Sequence, residues 1–327
     1  MHMADALLSP AVGGLMYAAS ALTIAYATKK VKKSELAGQK LPLMAVAGAF
    51  VFAAQMINFT IPGTGSSGHI GGGILLAGLL GGYPALLALA AVLFIQCLFF
   101  ADGGLLALGA NIFNMGVVPC LLLYPLFFKP FLQRKFTQGR LYFATIVAAT
   151  VGLELGALGV VVETYASGMV QLPFITFVAL MLSIHLVIGL VEGVVTAAVF
   201  AYVNKLRPEL LAGNLRSSTA GTVFSLRRIV AIFAVLAVLV GGGLSLVASE
   251  HPDGLEWSLD KVRAEEQAPQ QGLHAKIAAW QKKLAPLPDY DFASGEGRGT
   301  SFSGIVGGVL TCLFIGGAGL VMAHRKH

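Results

Sequence analysis

Residues 84–100 read Pro84-Ala85-Leu86-Leu87-Ala88-Leu89-Ala90-Ala91-Val92-Leu93-Phe94-Ile95-Gln96-Cys97-Leu98-Phe99-Phe100. No charge interrupts the run, and it is close to the roughly 20 helical residues that cross a hydrocarbon core. Similar runs recur along all 327 residues, of which 56% are hydrophobic and only 12% charged. A soluble domain carries about a quarter charged residues. The alternation of an outer-membrane barrel is missing, so the spans are helices. Glycine, at 40 residues, suits close helix packing in lipid. The chain reads as an all-α integral membrane protein.

The net charge of +6 does not indicate a nucleic-acid partner, because the cations are sorted. Lys29, Lys30, Lys32, Lys33 and Lys40 form one group, and Lys129, Arg134, Lys135 and Arg140 a second. Lys205, Arg207, Arg216, Arg227 and Arg228 form a third, and Arg325 and Lys326 end the chain. Basic clusters separated by apolar spans are the positive-inside pattern. Threading on them gives nine spans, at about 11–28, 41–58, 70–82, 84–100, 105–127, 141–165, 173–203, 226–248 and 304–323. The N-terminus is then outside and the C-terminus cytoplasmic, in a multi-pass protein of the cell (inner) membrane. Sixteen of the 22 Lys and Arg fall inside, and the other six lie in a long outer segment exempt from the rule. The stretch 70–82 is short and Gly-rich, so it reads either as a tilted span or as a re-entrant piece.

Three units follow: a seven-span unit over 1–204, a polar basic linker over 205–225, and a two-span hairpin over 226–327. The outer segment of the hairpin, 249–303, holds nine of the 16 acids and is expected to dock near Met1. Within it Leu273, Ile277, Trp280 and Leu284 share one face of an amphipathic helix. Cys97, Cys120 and Cys312 sit in apolar runs without metal-knuckle spacing and read as small hydrophobes. The first basic residue is Lys29, so no signal-peptide n-region precedes the first span, and the first residues are expected to be kept.

The start, Met1-His2, has chelating chemistry. A free α-amine, the amide nitrogen of His2 and its ring close two fused chelate rings in one plane. Square-planar nitrogen sites favour Ni(II) or Cu(II). Taken alone, Met-His at a chain start is chance in most proteins. The loop Ile61-Pro62-Gly63-Thr64-Gly65-Ser66-Ser67-Gly68-His69, placed on the same side, offers His69 as a fourth nitrogen. A lone loop histidine is usually only solvated. The spacing Gly63-x-Gly65-x-x-Gly68 is not a dinucleotide fingerprint, because no strand–turn–helix unit surrounds it. Gln55, Asn58, Asp102, Asn111 and Asn114 read as interhelical hydrogen-bonding groups. Glu154, His185 and Glu192 lie at membrane depth, where ionisable groups are functional candidates by default. His185 and Glu192, seven apart on one face, are expected to pair structurally. No His-Glu-x-x-His, Gly-x-Ser-x-Gly or Walker A motif is present, so neither an enzyme nor a resident cofactor is expected.

The start Met1-His2-Met3-Ala4-Asp5-Ala6, the loop Gly65-Ser66-Ser67-Gly68-His69 and the stretch Ala110-Asn111-Ile112-Phe113-Asn114-Met115-Gly116 resemble the CbiM/NikM family. These are substrate-binding S components of energy-coupling factor (ECF) transporters, a class of ABC transporter, for cobalt and nickel. The resemblance covers roughly 1–204. Pro252-Asp253-Gly254-Leu255-Glu256 resembles the PDGLE motif of the NikN-type accessory module, so the chain looks like a fusion of the two. The resemblance implies a metal site of the Met1 amine, the His2 amide and ring, and the His69 ring. It implies a transmembrane T component and two cytoplasmic ATPase subunits as partners, with Ala21-x-x-x-Ala25 as a candidate contact for the T component. It also implies an N-terminus tucked into the bundle, and nickel rather than cobalt as cargo. Cobalt uptake for cobalamin synthesis is the alternative. A membrane metalloenzyme and a non-transporting metal receptor are readings of other classes; the absence of a carboxylate beside the metal is expected to separate the site from the enzyme.

Overall fold

The computed structural model describes residues 2–31, 40–170, 173–211, 225–262, 272–292 and 299–324. Long helices dominate it: α1 (Pro10–Lys30), α2 (Lys40–Gln55), α3 (Gly73–Leu80), α4 (Gly82–Phe100), α5 (Leu108–Arg134), α6 (Gln138–Ser167) and α7 (Phe174–Leu206). The second unit adds α8 (Leu226–Gly242), α9 (Gly254–Lys261), α10 (Leu273–Leu284) and α11 (Thr300–His324). Among the described residues seven helices are long and apolar enough to cross a membrane, and α2 is a shorter apolar helix. Every expected span corresponds to a helix. Pro119 and Pro125 lie inside α5, which winds as a π-helix over Phe113–Phe128. Each proline removes an α-helical donor and crowds the preceding turn, and local widening relieves this.

The stretch 70–82 takes the re-entrant form. Helix α3 has 8 residues, about 12 Å at 1.5 Å per residue, far short of a ~30 Å core. All eight are buried, which satisfies the condition that broken backbone at membrane depth be covered by protein. The chain turns at Gly81, with Gly82 packed on the Cys120 carbonyl of α5, and α4 runs back to the end it came from. A nine-span count is therefore corrected to eight long or nearly full-length helices and one half-helix.

The hairpin α8–α11 packs along α2. Its two helices cross backbone to backbone where Gly241 meets Gly304, and a Cβ on Gly304 would stand 2.2 Å from the Gly241 oxygen. The linker expected over 205–225 lies largely outside the described residues, as does Met1.

A candidate metal site between the N-terminal arm and the fused module

The arm begins as an extended strand of chain and is pinned at Met3. The Met3 amide donates to Asn111 Oδ1 at 2.8 Å, and Asn111 Nδ2 donates to the Met3 carbonyl at 3.2 Å. One amide side chain thus satisfies both backbone groups of a fully buried residue, as a missing sheet partner would. The Gly104 amide also donates to the Met3 carbonyl, and the Ala107 amide to Asp5 Oδ1 at 3.0 Å. Gly104 has to be glycine here, because a Cβ would fall 1.8 Å from Asp5 Oδ1. Residues 2–8 thereby run into the bundle as expected.

The two histidines expected as ligands meet. The His2 and His69 rings stack with centroids 5.1 Å apart and 21° between planes. With metal–nitrogen bonds near 2 Å, two imidazoles on one ion hold their centroids roughly 4.5–6 Å apart, depending on the angle between them. Met1, the third expected ligand residue, lies outside the described residues. Among those described, no three His, Cys, Asp or Glu side chains gather as a conventional metal cluster.

Hydrogen bonds set the tautomers. Gln55 Nε2 donates to the Gly71 carbonyl, Gln96 Nε2 donates to Gln55 Oε1 at 2.9 Å, and Gln96 Oε1 faces His2 Nε2 at 3.2 Å. The chain leaves Gln96 an acceptor, so His2 Nε2 carries a proton. His2 Nδ1, the only ring atom able to close a six-membered chelate with its own amide nitrogen, stands 3.2 Å from Asp102 Oδ1. Two acceptors on one imidazole require a cation at Nδ1, either a proton or a metal ion. Burial, the largest influence on the ring, holds the His2 pKa below its ordinary value, with Asp102 pulling the other way. His69 Nδ1 donates to the Ile70 carbonyl at 3.1 Å, which puts the lone pair on Nε2. Burial pushes its pKa well below the usual imidazole range too. Burial thus pushes both rings toward the neutral form, which is the form metals bind.

The loop carrying His69 is built from three sides. Strands β1 (Phe59–Ile61) and β2 (Ser66–Gly68) form a small antiparallel hairpin. From α7, Glu192 accepts from the amides of Gly71 at 2.8 Å and Gly72 at 2.9 Å. The expected His185–Glu192 pair is corrected accordingly. His185 Nδ1 instead bonds the Met181 carbonyl one turn earlier. Seven-residue spacing put both on one face, but the loop's bare amides outcompete an imidazole for the carboxylate.

The third side is the segment 252–256. The Pro252 carbonyl accepts from the Ser67 amide at 2.8 Å. Asp253 caps α9, its Oδ1 accepting from the Leu255 and Glu256 amides, while Glu256 Oε2 accepts from the Asp253 amide. This is a reciprocal capping box. Gly254 lies against Ile184, His185 and Ile188, and Leu255 is buried. Trp257 Nε1 then reaches the Thr64 carbonyl at 3.0 Å. The outer segment thus docks at the loop, as expected from its sequence. Its helix α10 is turned over, however. Leu273, Trp280 and Leu284 are exposed, Trp280 by 68%. The opposite face supplies His274 to the Leu8 carbonyl and Gln281 to the Cys97 and Gly103 carbonyls. Those carbonyls lack helical partners, so the donor face goes inward.

A cavity of about 590 Å³ lies between bundle and module, with His2, His69, Asp102, Asp253, Glu256 and Tyr290 on its wall. Three of these are carboxylates, so the expectation of none beside the metal site is corrected. Asp102 closes α4 and could be recognised only as one polar residue among several. Gln96 was not singled out at all. As a lone polar residue within an apolar run it had a signal, since an amide at that depth must serve a partner.

Comparison with known proteins places these features together. The profile described as the cobalt uptake substrate-specific transmembrane region, CbiM, matches residues 2–210, and that of the PDGLE domain matches 227–324. A putative fused nickel transport protein NikMN of Archaeoglobus fulgidus is 34% identical, over 95% of this chain and 95% of its own. The fused nickel transport protein NikMN of Rhodobacter capsulatus is 32% identical, over 99% and 98%. A crystal structure described as a transition metal transporter superposes with a TM-score of 0.54 at 32% identity, over 64% of this chain and 95% of that one.

Proposed function

Because this chain belongs to the CbiM family of cobalt-uptake substrate-specific transmembrane regions, with a PDGLE domain fused behind it, we propose that it is the S component of an energy-coupling factor transporter for Ni(II). The family comprises metal transport proteins and not enzymes. The cargo sits in a plane of four nitrogens: the Met1 α-amine, the His2 amide and Nδ1, and His69 Nε2. The observation that carries this reading is the His2–His69 ring pair with its tautomers fixed by Gln96 and Ile70. Nickel is favoured over cobalt because square-planar nitrogen ligation suits it. A T component and two ATPases supply the energy. Helix α1 is the span least covered by the rest of the chain, with Ala21 and Ala25 both exposed, which favours it as the T-component contact. In this reading the site faces outward and the C-terminus is cytoplasmic.

His69→Ala leaves the tridentate arm one nitrogen short. Nickel affinity is expected to fall by about two orders of magnitude or more, with water in the fourth position and a shifted ligand-field band. Equal affinity in titrations of wild type and variant removes His69 from the site.

The pH dependence separates the ligands. All must lose protons to ligate. An ordinary α-amine titrates near 7.7–8.0 and an ordinary imidazole near ~6.5, but both rings here are held below that value by burial. The His2 amide releases its proton only to the metal, so nickel affinity is expected to fall by about tenfold per pH unit from pH 9 downward, and more steeply once pH drops below the amine range. An affinity flat from pH 9 to 7 would speak against amide and amine ligation alike.

A further inference from the structure

Three non-glycine residues have left-handed backbone among those described: Ala101 (φ 54°), Asp289 (φ 53°) and Tyr290 (φ 60°). Such conformations cost about 1–3 kcal/mol each and persist where the surroundings over-determine them. All three converge on one contact. Ala101 aims Asp102, and the Asp289–Tyr290 turn of the fused module aims the Tyr290 hydroxyl, which donates to Asp102 Oδ2 at 2.5 Å. The other oxygen of Asp102 faces His2 Nδ1 at 3.2 Å. The Tyr290 ring is anchored independently, stacked on Phe100 with centroids 4.8 Å apart and set edge-on to Phe52.

We propose that Tyr290 is a positioning residue for the cargo site: it fixes the Asp102 carboxylate beside His2 Nδ1, where that charge compensates the bound dication. The inference rests on the nitrogen-plane reading above. A deprotonated amide cancels one of the two charges of the metal, and Asp102 cancels the other. Beside two largely buried rings, an uncompensated charge is costly. Asp102 closes α4 and could turn to the cavity, since its side chain is 24% exposed. The hydroxyl bond on its far oxygen prevents that. The fused module thus contributes to metal affinity without contributing a ligand.

The test is Ni²⁺ titration of the purified full-length chain with Asp102→Asn, Tyr290→Phe and the double variant, beside His2→Ala and His69→Ala. Phenylalanine keeps the stack on Phe100. Asp102→Asn is expected to weaken nickel about 10–100-fold, the range of groups that orient metal ligands, and Tyr290→Phe, one bond further out, roughly 3–10-fold. The double variant is expected to bind no more weakly than Asp102→Asn alone, because Tyr290 acts only through Asp102. A merely loosened module would instead give additive losses. The ligand-field band of bound nickel is expected to shift in Tyr290→Phe in the same sense as in Asp102→Asn. Unchanged affinity in Tyr290→Phe overturns the proposal. So does tighter binding, which would make Asp102 a competitor for the ring nitrogen, and so do additive losses. If His2→Ala and His69→Ala bind as wild type, the nitrogen-plane reading fails and takes this proposal with it. If they lose binding while Tyr290→Phe does not, only this proposal fails.

Discussion

Acetylating the Met1 amine is expected to lower nickel affinity at least a thousandfold while leaving the fold intact. Acetylation turns the α-amine into an amide and supplies no new amine to close the five-membered ring with the His2 amide, whereas an added residue would bring a terminal amine of its own. The arm cannot slide to compensate, because Met3 is held by Asn111 at both backbone groups and Gly104 leaves no space beside Asp5. Losing the amine also removes the anchor that makes deprotonation of the His2 amide favourable, so two of four donors go together. A factor of a thousand is about 4 kcal/mol, modest for half of a chelate. Stability should barely change, since the apolar helices bury the core independently of the terminus. The comparison is nickel titration and thermal melting of the free and the acetylated chains. An acetylated chain that binds nickel as well as the free one would leave the N-terminal site without support.

Glu192→Ala is expected to be the most damaging single change in the bundle. The carboxylate is 3% exposed and satisfies two adjacent amides, Gly71 and Gly72. Removing it orphans two buried N–H groups, at about 1–3 kcal/mol each. It also frees the backbone two residues beyond His69, so nickel affinity should fall with stability. Glu192→Gln retains one acceptor oxygen and should lose roughly half as much. Melting curves and nickel titrations of both variants check the order. A Glu192→Ala protein that melts and binds as wild type would show the loop to be held by β1, β2 and the module alone.

The helices were legible because apolar runs of spanning length have few other readings, and Lys29–Lys30 or Lys129–Arg134 mark their ends. The half-helix α3 was less so. Ile70–Gly82 has the hydropathy of a span, and only its Gly content and length signal that the backbone is sheltered. The ring pair His2–His69 was accessible from chelate chemistry. Its supports were not, because Gln96 and Asp102, at the end of α4, lie far in sequence from both His2 and Tyr290 and meet them only through the fold. Periodicity found α10 but not its orientation. The pattern of Leu273, Ile277, Trp280 and Leu284 defines a face, whereas which face turns inward depends on the carbonyls of Leu8, Cys97 and Gly103 that His274 and Gln281 reach. For His185 and Glu192, spacing gave a shared face and could not say that the carboxylate had a better partner.

The clamp on Met3 has a thermodynamic consequence. The proposed ligands Met1 and His2 directly precede it, on a tether with a contour length of about 7 Å. For flexible tethers that span their sites, effective concentration rises as length falls, and short ones already reach millimolar values. In the proposed site, an arm pinned by Asn111 would hold its nitrogens beside the His69 ring at a local concentration no free dipeptide could match. An ion slipping from one donor would then meet the others again before diffusing away, and the bundle would make a slow-releasing chelator of an ordinary dipeptide.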